Sequence, residues 1–101
     1  MDRFALLVML RAKPGKEQEV EEFLAAARPI VLDELGTVSW YAVKFDDGQY
    51  GIFDTFADEG GRNAHLSGQV ANLLFAKSGE LLAEPPKVEM LQVLASKGQE
   101  N

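Results

Sequence analysis

TVSWYAVKFDDGQYGIFDTF, residues 37–56, carries the clearest structural pattern in this chain. Its two halves, residues 37–45 and 49–56, are rich in β-branched and aromatic side chains, which favour extended strands. The letters DDG separate the halves, and an Asp-Gly pair suits the left-handed positions of a tight hairpin turn. The stretch therefore predicts a β-hairpin in the middle of the chain.

Two further strands are predicted outside the hairpin. Residues 4–12 form a continuous apolar run, which is short for a helix and rich enough for a strand buried on both faces. Residues 87–95 alternate well enough to form a last strand. Residues 96–101 are expected to fray.

Helical patterns fill the two intervals between these strands. In residues 13–36, Pro29 predicts a kink or a helix in two pieces, and Gly36 is the expected stop. In residues 58–83, glycines are expected to divide the helix into short pieces. The first apolar stripe comprises Val20, Phe23, Leu24, Ala27, Val31 and Leu35. The second comprises Leu66, Val70, Leu73, Leu74, Lys77 and Leu81, and the dividing glycines are Gly60, Gly61, Gly68 and Gly79.

The resulting order, β-α-β-β-α-β, predicts an α+β, ferredoxin-like fold: a four-stranded antiparallel sheet with the helices on one face. We expect one domain over residues 1–101, with an ordered core at about residues 4–95. Both faces of the first strand are apolar, and the helices can cover only one of them. Because the chain is short and has no Cys for disulfides, a second subunit is the expected cover. The pattern therefore predicts a homodimer.

Charge and hydropathy exclude several classes of partner. The net charge is −6 and the ten basic residues are scattered, so the footprint of a nucleic-acid-binding protein is missing. No apolar run approaches the ~20 residues of a transmembrane helix, and no signal peptide is recognisable. We expect a cytoplasmic protein that binds neither nucleic acid nor membrane.

The residue types also exclude several kinds of catalytic site. With no Cys and one His, His65, the chain cannot use Cys–His catalysis or a Cys/His zinc site. No Ser lies in a Gly-x-Ser-x-Gly turn, and the glycines lack the spacing of a phosphate-binding loop. We therefore expect neither a Ser-His-Asp triad nor a metal site.

Asp54 and His65 are the polar residues most suggestive of function. Asp54 stands in an otherwise apolar row of its strand, and if it is buried it needs a partner such as Arg62 or His65. The alternative is that Asp54 lies at the sheet margin in contact with solvent. His65 neighbours Leu66 at the border of an apolar stripe, which fits either a pocket mouth or an ordinary structural histidine.

The aromatic side chains are first of all candidates for the core or a subunit interface, because a small domain needs about this many. Trp40 and Tyr41 are adjacent in a strand and therefore point to opposite faces. Such residues gain a binding role only where they enclose a cavity with a few convergent polar groups.

Three segments together resemble the antibiotic-biosynthesis monooxygenase family: LLVMLRAKPGKEQEVEEFL, the hairpin, and YGIFDTFADEGGRNAHLSGQV. The resemblance spans about residues 4–95, and its strongest local match is the spacing of Asp54, Phe56 and His65. It implies a dimeric α+β barrel, in which each subunit has a ligand cavity between its sheet and its helices.

The resemblance also implies an activity. Some members oxidise phenolic or quinol substrates with O₂ without metal or flavin, because the deprotonated substrate is rich enough in electrons to react with oxygen. The expected function is a cofactor-independent monooxygenase for a small aromatic quinol or polyketide-like substrate. The expected catalytic residues are His65, as the proton acceptor, and Asp54. The expected substrate-binding residues are Trp40, Tyr41, Phe56, Arg62 and Asn63.

The sequence departs from the family at three positions. Phe56 stands where the family often has Trp, Val70 replaces a common second His, and Phe75 stands where haem-degrading relatives have an axial His. Haem binding is therefore disfavoured, and no cofactor is expected. These departures leave an alternative open: a non-catalytic, small-ligand-binding or stress-associated dimer that uses the same cavity.

Overall fold

The computed structural model describes residues 2–98. Its elements are β1 (Phe4–Arg11), α1 (Glu17–Leu32), β2 (Thr37–Lys44), β3 (Gln49–Phe56), α2 (Glu59–Leu66), α3 (Gln69–Leu81) and β4 (Lys87–Gln92). The four strands form one antiparallel sheet in the order β2-β3-β1-β4. This confirms the α+β, ferredoxin-like prediction. Part of the tail expected to fray, residues 99–101, lies outside the described residues.

The predicted hairpin joins β2 to β3 through the DDG turn. Asp47 and Gly48 have φ angles of 58° and 78°, which are the left-handed values that a type I′ turn needs at its two central positions. The N–H of Gln49 donates to the carbonyl of Asp46 over 3.4 Å and closes the turn. The Asp-Gly pair thus has the conformational role expected of it.

The core lies between the helices and one face of the sheet. Strand parity places Tyr50, Ile52, Asp54 and Phe56 on that face, and all four are buried. Apolar side chains of β1, α1 and α3 fill the space above them, namely Leu6, Val8, Leu10, Val20, Leu24, Ala27, Val31, Val70, Leu74 and Leu81.

Helix α1 runs through Pro29 as one helix, so of the two alternatives, a kink or a helix in two pieces, the second is wrong; a proline removes only one backbone donor. It ends before Gly36, where the N–H of Asp33 turns back to the carbonyl of Ile30 over 3.1 Å. Leu35 lies beyond this end and is fully exposed, so it is not part of the buried stripe.

The second helical segment is divided once, between α2 and α3, at Gly68. Asp58 caps α2 by accepting a 2.8 Å hydrogen bond from the N–H of Gly61, so Gly60 and Gly61 lie in a first turn rather than at breaks. Gly79 is inside α3, and the break expected there is wrong. Of the helices within residues 2–98, none is long and apolar enough to cross a membrane.

The other face of the sheet has an apolar centre, with Lys87 and Glu89 of β4 at one side, and no helix of residues 2–98 covers it. Tyr41, 60% exposed, and Phe53, 37% exposed, are cross-strand partners near its centre. We call this surface the outer sheet face; its apolar side chains are Leu7, Met9, Tyr41, Val43, Phe53 and Leu91.

Candidate functional site

Asp54 is completely buried on the helix-facing side of β3, so the alternative of a solvent-exposed Asp54 is wrong. Its partner is His65, whose Nε2 lies 2.9 Å from Oδ2 of Asp54. The contact is an ion pair without hydrogen-bond geometry, and neither carboxylate oxygen has a hydrogen-bond partner within residues 2–98. A buried carboxylate with so few partners depends strongly on the charge of the histidine ring.

Glu34 holds the other side of the same ring. Its Oε1 lies 2.6 Å from Nδ1 of His65 and also accepts a 2.8 Å hydrogen bond from Oγ1 of Thr37. We refer to Glu34, His65 and Asp54 as the charged cluster. Sequence reasoning missed Glu34, because it lies 31 residues from His65 in an irregular segment and follows no motif.

The charged cluster changes the pKa of His65. Burial alone lowers the pKa, but the contact with Asp54 and the hydrogen bond to Glu34 raise it by more, so that it lies above its ordinary value of 6.5. The ring of Phe56 packs against the imidazole with 5.5 Å between ring centroids. Both nitrogens that a general base would use face carboxylates, and the side chain is 8% exposed.

Two of the predicted binding residues are not brought to this cluster. Arg62 donates to the carbonyl of Leu91 over 3.2 Å, pairs with Glu59 at 3.8 Å, and lies over the ring of Phe4. The side chain of Asn63 is exposed on α2. Within residues 2–98, no three His, Cys, Asp or Glu side chains are grouped so as to hold a metal ion.

A cleft of about 430 Å³ lies beside the charged cluster, between the end of α1 and the edge strand β2. Neither Asp54 nor His65 lines it, and Glu34 is the member of the cluster that does. The structure thus brings two of the predicted aromatic residues together with a carboxylate. The residues that line it include Arg28, Glu34, Thr37, Trp40, Tyr41 and Ala42.

Trp40 connects the cleft to the buried part of the site. It is the cross-strand partner of Asp54, so both side chains lie on the helix-facing side of the sheet. Its indole Nε1 is buried and has no hydrogen-bond partner within residues 2–98. Tyr41 also lines the cleft but belongs to the outer sheet face, as expected for neighbouring strand residues.

A contact between two glycines positions Glu34. A Cβ on Gly36 would lie 2.7 Å from Cα of Gly61, so the segment between α1 and β2 approaches α2 as closely as two backbones allow. This contact holds the segment that carries Glu34 against the helix that carries His65. Glycine at both positions is therefore part of how the charged cluster is assembled.

No protein-family model matches the chain, and no curated protein matches it. A solved structure does: NE2512, a protein of unknown function from Nitrosomonas europaea, is 46% identical in sequence. That match covers 100% of this chain and 98% of the other, with a TM-score of 0.96.

More distant structures have the fold implied by the sequence resemblance. A proposed antibiotic biosynthesis monooxygenase from Caulobacter crescentus CB15 is 20% identical, with 93% of this chain and 92% of the other covered and a TM-score of 0.79. Another, from Nitrosomonas europaea, is 15% identical, with 91% and 99% covered and a TM-score of 0.81. At these identities the similarity is one of fold.

Proposed function

We propose that this chain, which belongs to the same family as NE2512 of Nitrosomonas europaea and has the fold of the antibiotic-biosynthesis monooxygenases, is a cofactor-independent monooxygenase for a small aromatic quinol or related phenol. One observation carries the proposal: a cleft lined by Trp40 and Tyr41 is bordered by a carboxylate of the charged cluster. Its volume of about 430 Å³ is within the range of small-molecule sites.

Trp40 supplies the first part of the binding site. Its indole lines the cleft and offers a flat apolar surface to an aromatic ring. Its Nε1 is closed to solvent, so Trp40 contributes contact area to the ring rather than a hydrogen bond.

Glu34 is the proposed proton acceptor, because it is the carboxylate of the cluster that borders the cleft. A carboxylate is a weaker base than a phenolate, so the transfer depends on stabilising the phenolate as it forms. The positive ring of His65 behind Glu34 acts in that direction, because it attracts the anion. His65 and Asp54 are thus positioning residues, which hold the charge and orientation of Glu34.

The reaction needs no reductant other than the substrate. The phenolate donates electrons to O₂, and a ring carbon exchanges its C–H bond for a C=O bond. One oxygen atom stays on the ring carbon and the other leaves as water, so a phenol and O₂ give a quinone and water. The protein binds the ring, removes the proton and stabilises the anion.

We also propose that the chain acts as a homodimer in which a second copy covers the outer sheet face. Exposed apolar side chains form a contiguous surface there, and monomeric proteins rarely leave such a surface open to water. Tyr41 belongs to this face and to the cleft, so the dimer would cover one wall of the site.

Binding without catalysis is the second candidate function, and a specific observation favours it. Neither Asp54 nor His65 lines the cleft, and both ring nitrogens of His65 are engaged by carboxylates. The cleft would then bind an aromatic ligand that the protein does not change.

Oxygen uptake with a panel of dihydroxy-aromatic compounds distinguishes the two. We expect turnover by the wild type and a loss of about 10²-fold or more in Glu34→Gln, which keeps an oxygen that can accept from His65. Glu80→Gln, an exposed change on α3, is the matched control and should retain activity. Ligand binding without oxygen uptake for every compound would refute the monooxygenase and support the binding protein.

A further inference from the structure

Arg28 stands between two adjoining cavities. The first is the cleft described above, and the second is a pocket of about 390 Å³ further along α1 and β2. Arg28, Trp40 and Ala42 line both of them. A ligand whose ring lies on Trp40 is therefore close to Arg28 in either cavity. Arg28 is itself exposed on α1 and accessible from solvent.

The other charges lining these cavities are paired. In the cleft, Glu34 is paired with His65 at 2.6 Å. In the second pocket, Glu21 is paired with Lys44 at 3.0 Å. Within residues 2–98, the guanidinium of Arg28 has neither a hydrogen bond nor an ion pair. One positive charge therefore remains without a partner where the two cavities meet, in a chain whose net charge is −6.

The hydroxyl and acidic parts of a ligand would be bound by different residues. The proposed function assigns a phenolic hydroxyl to Glu34, on the cleft side. An unpaired guanidinium is best matched by a carboxylate, which accepts two parallel hydrogen bonds from it. We propose that the ligand is a hydroxy-aromatic carboxylic acid, with its carboxylate bound by Arg28; this inference rests on the proposed function for the assignment of the hydroxyl group.

The test uses Trp40, the only tryptophan, as a fluorescent reporter of the site. Catechol and 3,4-dihydroxybenzoate are titrated separately, because they share the dihydroxy ring and differ by the carboxylate. We expect the wild type to bind the acid at least about 10-fold more tightly, as is typical of a charge-assisted pair. Arg28→Gln should lose this preference and bind catechol as the wild type does, while Arg3→Gln, an exposed control, should keep it.

Equal affinity for the two compounds in the wild type would overturn the inference. So would an Arg28→Gln variant that loses affinity for both compounds equally, because Arg28 would then act through packing rather than charge. Oxygen uptake measured on the same pair separates the two proposals. A carboxylate preference in binding without turnover refutes only the monooxygenase, and turnover without such a preference refutes only the carboxylate site.

Discussion

At the scale of the residue, His65 is the centre of the electrostatics of this protein. One imidazole lies between two carboxylates, at 2.6 Å and 2.9 Å; the ring and Asp54 are buried, and Glu34 borders the cleft. Moving charges out of water is costly, and the cost is offset only while each has its partner. The ring in its charged form satisfies Glu34 and Asp54 together, which no neutral side chain at this position would do.

The raised pKa of His65 predicts how stability depends on pH. Because the pKa in the folded protein lies above the unfolded value of 6.5, the stabilisation is complete below pH 6.5 and is lost as the pH rises through the folded pKa. The loss is at most about 1.4 kcal/mol per pH unit between the two pKa values. The free energy of unfolding, measured by urea titration at several pH values between 6 and 9, gives this loss.

The His65→Gln variant identifies the origin of this dependence. Its side chain cannot be charged, so the loss of stability that accompanies deprotonation of the imidazole should be absent from its pH profile. Its free energy of unfolding should also be lower than that of the wild type by about 3–5 kcal/mol at pH 6, because Asp54 is left buried without a countercharge. A variant with the same pH dependence as the wild type would assign the effect to another group.

At the scale of the element, the packing of α2 against the segment between α1 and β2 controls the site. A Cβ on Gly61 would lie 2.7 Å from the carbonyl oxygen of Gly36, and neither backbone can move without shifting an element. The position of Glu34 beside His65 is thus a consequence of two small residues that carry no chemistry of their own.

Two helical glycines make this argument testable. Gly61→Ala should destabilise the protein by about 1–3 kcal/mol, because the added methyl group overlaps backbone. Gly79→Ala is the matched control: it lies inside α3 with no atom within 4 Å of the added Cβ, and it should stabilise by about 0.5–1 kcal/mol. Thermal or urea unfolding gives both values, and equal stabilisation by the two changes would contradict the close contact.

At the scale of the whole molecule, the described helices pack on one face of the sheet, and the other face has an apolar centre. The helices cover the face with Asp54, and the outer sheet face is left with exposed aromatic side chains such as Tyr41 and Phe53. A domain of about this size has a modest core, so burying a second face between two copies adds stability that one copy lacks.

We therefore predict that Phe53→Arg dissociates the homodimer. Phe53 lies between Leu7 and Tyr41 across the strands, so a charge there would be buried without a partner at the centre of the interface. Its dissociation constant should rise by about 100-fold or more. Light scattering should show one chain, 11.1 kDa, instead of two. Phe75→Arg, an exposed change on α3, should leave the dimer intact; a wild-type monomer would refute the interface.

The order of elements could be predicted from the sequence because it depends on local patterns. The alternation in residues 37–56 and the Asp-Gly turn act within a few residues, and they lead to the observed hairpin without tertiary information. Helix ends were less predictable. The end of α1 before Gly36 and the continuity of α3 through Gly79 depend on packing rather than on the residue at the boundary.

The candidate site, too, could be predicted from the sequence only in part. The sequence by itself determined that Asp54 belongs to an apolar strand row and that His65 follows at a distance that permits contact, because strand parity and chain connectivity are local. Only the tertiary structure decided that Glu34 completes the cluster and that Trp40 and Arg28 border a common cleft. The physical reason is that these contacts join elements far apart in the chain, and they form only where two glycine backbones meet and the edge of a sheet is left partly uncovered.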